Sequence, residues 1–470
     1  MEHPGDELAT TATSAAKRDR EIDRTRLRAL MQREEERFVA EHPKSHALFE
    51  RAKRSLLSGV PMHWMVRWAG GFPVFVGEAH GARFRDVDGH EYLDLCLGDT
   101  GAMSGHSPKA VVDAVARQAA RGITLMLPTE DALWAAEELT RRFGLPFWQF
   151  CLTATDANRF SLRLARAITK RPYVLVFNGC YHGTVDESFI GLKQGIPASR
   201  AGNIGPAIDP ILTTKVVEFN DLDALEKALA PGDVACVLAE PALTNVGIVL
   251  PQPGFHQGLR EITRRTGTLL IIDETHTICA GPGGSTRADS LDPDFLVIGK
   301  TIAGGVPAAA YGFTPEAAQK IEALIESDSS DSGGIGGTLA ANALSLAAVR
   351  ATLEHVLTDQ AFDQMIANGK RFADGVQNAI DKAAGLAWHV TRLGCRAEYL
   401  FRAAPPRNGG EAQAAGDAEL DRFMHLYALN RRIVLTPFHM MALMSPATTA
   451  DDVDEHTRVF ESAIAELVAQ

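Results

Sequence analysis

Short apolar runs, each bounded by turn-forming residues, recur along the middle of the chain. Four of them lie at residues 173–177, 235–239, 269–272 and 295–298. They are near-continuous in apolar residues and too short for core helices, which is typical of strands buried on both faces of a parallel sheet. A further short apolar run near residue 150 gives way to small polar residues and then to an amphipathic helical pattern that ends near residue 166. We therefore predict an α/β fold around a buried sheet.

Other patterns predict helices and a hairpin outside that sheet. Residues 20–41 are charged but carry apolar residues at helical spacing, which predicts an N-terminal helix that packs on its own chain or on a partner. Residues 83–86 and 92–95 flank Asp88-Gly89, a typical hairpin turn. A helix is predicted to start at Ser107, as the N-cap, and Pro108. Another is predicted over residues 339–357.

Composition and charge exclude several classes of protein. The 470 residues are 46% hydrophobic and 23% charged, as is usual for a globular enzyme. The net charge of −12 argues against a nucleic-acid surface, and no apolar run is long enough for a membrane span. The N-terminus lacks the apolar core of a signal peptide, and the six cysteines lack metal-site spacing. We therefore expect a cytoplasmic protein with reduced thiols, without metal, nucleic-acid or membrane partners.

Two of the apolar runs are followed by residues that can do chemistry. Asp273 ends the run 269–272, and Lys300 follows the run 295–298 after one glycine. Ligands of open α/β sheets bind outside the carboxyl ends of the strands, so a carboxylate and an amine are offered at the ligand edge. Such a pair suits pyridoxal phosphate (PLP), which needs a lysine for its aldehyde and an acid for its ring nitrogen. Such pairs are common, so on these two residues alone the simpler interpretation, a helix cap and a solvated strand end, is favoured.

Longer motifs decide between these interpretations. The segment DETHT at 273–277, followed by PDFLVIGKTIAGGVPAAAYG at 293–312, resembles the signature of class III aminotransferases of PLP fold type I. The segments DVDGHEYLD at 86–94 and GTLAAN at 337–342 also match patterns of that family. Within it, the chain is most similar to the branch of glutamate-1-semialdehyde aminomutase and the β-amino-acid aminotransferases. The resemblance implies a large domain with a mostly parallel seven-stranded sheet and a smaller α+β domain.

The same resemblance implies how the chain is divided. Residues 1–45 would form an N-terminal arm, with residues 1–20 disordered. Residues 46–110 would form the first part of the small domain. The large PLP-binding domain would cover 111–344, and residues 345–470 would complete the small domain.

The resemblance also implies cofactor contacts, residue by residue. Lys300 would form a Schiff base with the aldehyde and shuttle protons, and Asp273 would protonate the ring nitrogen. Tyr181 would stack on the ring, and Thr338, with Gly337 before it, would reach the phosphate of the other subunit of a homodimer with shared active sites. The remaining predicted contacts are Thr153, Ala154 (where glycine is usual), Thr155, His182, Glu240, Asn245, Thr275 (where valine is usual) and His276.

The predicted substrate residues are Arg67, Trp64 and Arg396. Arg67 is expected to bind a substrate carboxylate, although a structural ion pair explains it nearly as well. Trp64 would form an apolar wall, and Arg396 is an alternative carboxylate ligand. Residues 442–444 carry no cation where 2-oxoglutarate-using relatives have an arginine.

The sequence thus predicts a PLP-dependent aminotransferase that moves an amino group from an amino acid or amine, with β-amino acids among the candidates, to a keto acid. The alternative is an aminomutase of the glutamate-1-semialdehyde kind on the same cofactor. A non-catalytic α/β binding protein is the third hypothesis, and the chain has no dinucleotide-binding GxGxxG motif after a strand.

Overall fold

A computed structural model describes residues 22–326, 332–383 and 385–469. The predicted disorder of residues 1–20 lies outside these residues. Within them, the strands are β1 Val76–His80, β2 Arg83–Asp86, β3 Glu91–Asp94, β4 Phe147–Cys151, β5 Tyr173–Phe177, β6 Ile190–Lys193, β7 Ile196–Ser199, β8 Thr214–Val217, β9 Val234–Ala239, β10 Leu269–Asp273, β11 Phe295–Ile298, β12 Ala309–Phe313, β13 His389–Leu393, β14 Arg396–Leu400, β15 Ile433–Val434 and β16 Met441–Leu443.

Helices surround these strands. They are α1 Arg24–Glu41, α2 Pro43–Ala52, α3 Lys109–Ala119, α4 Glu130–Phe143, α5 Ala154–Thr169, α6 Leu222–Leu229, α7 Phe255–Thr266, α8 Gly284–Ala288, α9 Pro315–Glu326, α10 Ala343–His355, α11 Asp359–Lys382, α12 Gly409–Ala414, α13 Ala418–Leu429 and α14 Ala450–Val468. No helix in the described part of the chain is both long and apolar enough to cross a membrane.

The main sheet has seven strands in the order β4-β12-β11-β10-β9-β5-β8. β12 runs antiparallel to both of its neighbours, β11 and β4, and the other neighbouring strands of this sheet are parallel. Every residue of β9 and of β11 is buried, as their apolar sequences predict. The predicted fold class, a mostly parallel seven-stranded α/β sheet, is therefore confirmed.

Strands β10 and β11 are neighbours in this sheet and pair in parallel. Their register sets Asp273, the last residue of β10, opposite Val297, one residue before β11 ends. The carboxyl ends of both strands therefore meet at one edge of the sheet. This register brings the segments that carry Asp273 and Lys300 to the same place in the fold.

Smaller sheets join the two ends of the chain. β15 pairs in parallel with β3, with Ile433 opposite Leu93, in a sheet ordered β1-β2-β3-β15. β13, β14 and β16 form a separate antiparallel sheet. This pairing supports a small domain built from both ends of the chain, and its boundaries stay a prediction.

The N-terminal helix α1 packs on its own chain. Asp23 caps it by accepting hydrogen bonds from the N–H groups of Thr25 and Arg26. Its buried side chains include Leu27 and Phe38. Arg24 donates to Asp417 just before α13, so this predicted helix is confirmed, and it contacts α13 of the same chain.

Two predicted helix starts differ from the structure. The helix predicted from Ser107 begins at Lys109 instead, because Ser107 takes a left-handed conformation with φ of 48° and its hydroxyl donates to the Ala79 carbonyl. The helix predicted from residue 339 begins at Ala343, where the Asn342 side chain caps α10. The six cysteines are buried and unpaired, as expected.

Candidate active site

A cavity of about 500 Å³ opens at the edge where β10 and β11 end. Its walls come from the loops after these strands, the start of α5 and the loop after β5. Eight of the predicted site residues line it: Thr153, Ala154, Thr155, Tyr181, Asp273, Thr275, His276 and Lys300.

Lys300 enters the cavity from a constrained backbone. It follows Gly299 and takes a left-handed conformation with φ of 52°, which costs free energy for a residue with a side chain. A Cβ on residue 299 would lie 3.0 Å from the Cβ of Ala154 and 3.2 Å from its nitrogen. Glycine at 299 therefore lets the lysine loop approach the N-terminus of α5 closely.

Asp273 forms one wall of the cavity and is held by three donors. One carboxylate oxygen lies 2.9 Å from Nδ1 of His182 and 2.8 Å from the side-chain nitrogen of Asn158. The other accepts a hydrogen bond of 3.1 Å from the N–H of Thr275. Burial by itself would raise the pKa of Asp273, but the bond to His182 and the other donors hold it below its usual value. Asp273 is therefore a carboxylate.

His182 balances the negative charge of the Asp273 carboxylate. Its ring is buried behind the cavity. Burial opposes its protonation, yet Cys180 and the Asp273 carboxylate raise the pKa of His182 to about 10. His182 and Asp273 therefore form a buried ion pair with the negative group at the cavity wall.

Lys300 lies in a second polar cluster, with Asp99 and His276. Its Nζ is 2.8 Å from the Asp99 carbonyl oxygen, 2.9 Å from the Asp99 carboxylate and 2.7 Å from Nε2 of His276. Behind them, the fully buried Arg396 donates to Nδ1 of His276 at 2.7 Å. Its other donors reach Thr100 and the Thr244 carbonyl, each at 3.3 Å.

Charges of opposite sign shift the pKa values of this second cluster. Burial alone would raise the pKa of Asp99, but Lys300, His276 and Arg396 hold it well below its usual range. For His276, burial and then the charge of Lys300 lower the pKa well below its usual value. His276 is therefore neutral, and Asp99 is ionised.

The N-terminus of α5 forms a further part of the cavity wall. Thr153 caps the helix by accepting from the N–H of Asp156 at 3.1 Å. The Thr155 hydroxyl accepts from the N–H of Thr184 at 3.1 Å, and a Cβ on Gly183 would lie 2.1 Å from it. Ala154 adopts the ordinary helical conformation as the first residue of α5, so the missing glycine leaves the helix start intact. Free N–H groups at such an end bind anions such as phosphate.

Tyr181 adds a half-buried aromatic side chain to the wall. Its N–H donates to the buried Glu240 at 3.2 Å, and the Thr244 hydroxyl donates to the same carboxylate at 2.5 Å. Burial, with Asp99 adding to it, raises the pKa of Tyr181. Burial likewise raises the pKa of Glu240, against the opposing effect of His182. Glu240 thus positions the loop that carries Tyr181 from outside the cavity.

Several predicted residues do not line the cavity of their own chain. Asn245 is half-buried nearby, while Gly337 and Thr338 are exposed. Trp64 and Arg67 both contact Phe438: the two aromatic rings are 5.3 Å apart, and the guanidinium lies 5.6 Å from the Phe438 ring.

Arg396 differs most from the sequence expectation. Its buried guanidinium faces His276 rather than the cavity. This position does not support its predicted role as a ligand of a substrate carboxylate.

Two polar residues of the site are absent from the sequence prediction. Asp99 lies in the run Gly98-Asp99-Thr100-Gly101, and its φ of 48° is unusual for a residue with a side chain. An acid between two glycines after a strand is a signal that could have identified it. Asn158 gives no such signal, because it lies in the second turn of α5 and only the packing turns it to Asp273.

The described residues fit PLP. Lys300 offers an amine, and Asp273 offers a carboxylate that stays ionised. The α5 N-terminus offers anion-binding N–H groups, and Tyr181 offers an aromatic face. The Thr275 hydroxyl is also buried in the cavity wall without a hydrogen-bond partner, as expected for a group that awaits a ligand.

Comparisons with known proteins agree with this geometry. The family model of class-III aminotransferases matches residues 65–395. A glutamate-1-semialdehyde 2,1-aminomutase from Chloroflexus aggregans is 33% identical over 445 residues, which cover 91% of this chain and 98% of that protein.

Solved structures extend the comparison. A glutamate-1-semialdehyde-aminomutase from Pseudomonas aeruginosa is 51% identical, with a TM-score of 0.93 over 95% of this chain and 100% of that one. A variant of that protein was solved in complex with PMP. A β-phenylalanine aminotransferase from Variovorax paradoxus is 25% identical, with a TM-score of 0.82 over 93% of this chain and 97% of that one. The chain therefore belongs to the class-III aminotransferase family.

Proposed function

We propose that this chain is a PLP-dependent aminomutase that exchanges the amino and oxo groups of glutamate-1-semialdehyde or a close analogue. The names of the relatives support this second expectation from the sequence better than the first, an aminotransferase with a separate acceptor. Pyridoxal phosphate is the cofactor, because the family, the PMP complex of the Pseudomonas aeruginosa relative and the residues of the cavity all fit it.

One observation about the cavity carries the choice of an aminomutase. Among the residues described in this chain, the only lysine or arginine that lines the cavity is Lys300. An aminotransferase alternates between an amino donor and a keto acid, and the common keto acid 2-oxoglutarate carries two carboxylates that need cations. An aminomutase binds a single substrate. We keep Arg67 as the proposed cation for its carboxylate, and Trp64 as an apolar neighbour.

Asp273, Lys300 and the start of α5 would each have a different part in the chemistry. Bound PLP supplies an electron sink for the carbanion that forms at the substrate carbon. Asp273, ionised and fixed by His182 and Asn158, would be the residue that keeps a proton on the ring nitrogen of the bound cofactor. Lys300 can take a proton from the substrate carbon and return it elsewhere on the molecule. The N–H groups around Thr155 at the start of α5 would hold the phosphate.

A test needs glutamate-1-semialdehyde and the holoenzyme, without any amine donor or keto acid. We expect many equivalents of 5-amino-4-oxopentanoate per active site. Lys300→Ala should lower the rate by about 10³-fold, whereas Lys320→Ala, on the exposed face of α9, should not change it. Conversion that stops at one equivalent and resumes only with an added donor and keto acid would contradict the proposal in favour of an aminotransferase.

We also propose a homodimer in which the partner subunit's Thr338 contacts the phosphate. Its exposure and its position outside the cavity of its own chain support this arrangement. Mixing Lys300→Ala and Thr338→Ala subunits tests it, because a mixed dimer with shared sites would regain one intact site. A cytoplasmic location is proposed from the six unpaired cysteines.

A further inference from the structure

Three side chains of types that ligate metal ions meet beside the sheet β1-β2-β3-β15, outside the wall of the active-site cavity. They are His42 at the junction of α1 and α2, Asp86 at the end of β2, and His90 in the turn before β3. One nitrogen or oxygen atom of each lies within 4.8 Å of those of the other two. Two histidines and a carboxylate thus converge from two separate segments of the chain.

The separations of these atoms suit a small divalent ion. Tetrahedral ligation of Zn²⁺ by nitrogen and oxygen sets the ligand atoms about 3.4 Å apart. Oδ2 of Asp86 lies 3.7 Å from Nε2 of His42 and 3.1 Å from Nδ1 of His90. The Tyr92 hydroxyl oxygen stands at a fourth corner, 2.6 Å from the same Nε2 and 3.0 Å from the same Oδ2. His90 is half-buried, so its ring has room to complete the group.

Two backbone contacts orient the candidate ligands. Nδ1 of His42 lies 2.7 Å from the Phe38 carbonyl oxygen, which only accepts, so Nδ1–H donates and Nε2 is turned toward Asp86. Histidines bound to metals typically donate their second ring N–H to a carbonyl or carboxylate in this way. Oδ1 of Asp86 accepts from the N–H of His90 at 2.8 Å, which fixes the carboxylate with Oδ2 toward both rings.

The charges around this group leave a place for a cation. The Asp86 side chain is fully buried, and in the described part of the chain it forms no ion pair with a lysine or arginine. The Arg432 guanidinium lies 3.3 Å from the Tyr92 hydroxyl, but it is paired with the Glu41 carboxylate at 2.6 Å. A bound metal ion would balance the buried charge of Asp86.

We propose that His42, Asp86 and His90 bind one divalent transition-metal ion of the Zn²⁺ type, which ties the junction of α1 and α2 to the β2–β3 hairpin. Two imidazole nitrogens and one carboxylate oxygen are ligands that Zn²⁺ accepts. The sequence predicted no metal partner because the cysteines lack metal-site spacing, and this site contains no cysteine. The ion would stabilise the fold and take no part in the chemistry of the cavity.

Equilibrium dialysis against Zn²⁺ tests the site. The PLP-loaded protein is freed of metals with a chelator, dialysed, and its bound zinc is measured by mass spectrometry. We expect one Zn²⁺ per chain. His90→Gln, which removes the half-buried ligand, should weaken binding by more than about tenfold, because even the loss of an outer-shell partner costs that much. His80→Gln, an exposed change at the end of β1, should bind like the wild type. No uptake by the wild type, or equal uptake by His90→Gln, would overturn the proposal.

Thermal unfolding shows whether the ion acts on the fold. An ion that binds the folded chain and not the unfolded chain raises Tm. Zn²⁺ should therefore raise the Tm of the wild type and of His80→Gln, and should leave that of His90→Gln unchanged. A Tm that Zn²⁺ does not raise in the wild type would overturn the stabilising role, as would equal rises in the wild type and His90→Gln.

A third measurement uses the wild type alone and stands even if the variants fail to fold. X-ray absorption of the zinc-loaded protein should show nitrogen and oxygen ligands at about 2.0–2.2 Å, with the scattering pattern of two imidazoles. A sulfur ligand at about 2.3 Å, or a shell without imidazole, would overturn the proposal. No substrate takes part in these experiments, so the metal site and the aminomutase activity stand or fail separately.

Discussion

Two buried histidines at the cavity, His276 in its wall and His182 behind it, have different charge states. His182 touches a carboxylate, Asp273, at 2.9 Å, and its pKa is raised. His276 lies between two basic groups, Lys300 and Arg396, each at 2.7 Å, and its pKa is lowered. Both rings are buried, so burial alone cannot explain the difference.

The comparison shows that the charge of the nearest partner decides what a buried histidine does. Beside an acid, the ring becomes a cation that keeps the acid ionised. Between two basic side chains, the buried ring stays neutral. The cavity therefore sets an ionised carboxylate, Asp273, and the amine of Lys300 each beside a histidine of a different charge state, and such differences suit acid–base catalysis.

Removing the charge on the Asp273 wall should have the largest effect. Asp273→Asn keeps the shape of the side chain but cannot hold a proton on the ring nitrogen. We expect kcat to fall by about 10³-fold, measured as turnover of glutamate-1-semialdehyde by protein saturated with PLP. Asp223→Asn, an exposed change on α6, serves as the matched control. A variant at position 273 that keeps most of the wild-type rate would contradict the role proposed for the Asp273 carboxylate.

His182→Asn should destabilise the cofactor-free protein in a pH-dependent way. The folded pKa of His182 lies above its unfolded value of about 6.5. Its contribution is therefore complete below pH 6.5 and is lost as the pH rises through about 10. We expect the free energy of unfolding in urea to drop by about 2 kcal/mol near pH 6, with a gap to wild type that narrows toward pH 10.

The control for the His182→Asn series is His355→Asn, a substitution of an exposed residue at the end of α10.

His276→Phe should give the opposite pH dependence of the free energy of unfolding. The pKa of His276 is lowered in the folded protein, so as the pH falls the unfolded chain takes up the proton first. The presence of His276 therefore costs stability as the pH falls below about 6.5. Parallel pH dependences for the two histidine variants would contradict the assigned charge states.

The smallest effect is expected from Thr275→Val. The Thr275 hydroxyl is buried without a partner, as is that of Thr301, which lies outside the cavity wall. In the cofactor-free protein, both valine variants should change the free energy of unfolding by no more than about 1 kcal/mol. Only Thr275→Val should weaken PLP binding, by about fivefold in Kd, the equivalent of one hydrogen bond. If both variants changed the Kd for PLP equally, the Thr275 hydroxyl would not be a ligand of the cofactor.

Local patterns in the sequence were sufficient to find the sheet and its ligand edge. The runs 269–272 and 295–298 are apolar throughout, and the structure places them as adjacent parallel strands, β10 and β11. Asp273 and Lys300 follow from this arrangement, because any residue just past these strands lies at the same edge.

Contacts between segments that are far apart in the chain could not be predicted from the sequence. Asp99 and Lys300 are 201 residues apart, and Arg396 is 120 residues from His276. From the sequence alone, Arg396 could be either a ligand of a substrate carboxylate or a buried partner of a histidine. Only its burial in the structure distinguishes these two roles.

The sequence by itself determined five strands of the main sheet (β4, β5, β9, β10 and β11), the amine and the acid at the sheet edge, and the family. The apolar periodicity and the turn residues that encode these features are local, and a short stretch of chain is enough to express them. The tertiary structure alone decided the charge states of His182 and His276 and the place of Arg396. Those depend on which charges the fold brings within 3 Å of each ring, and on the exclusion of water that makes such contacts strong.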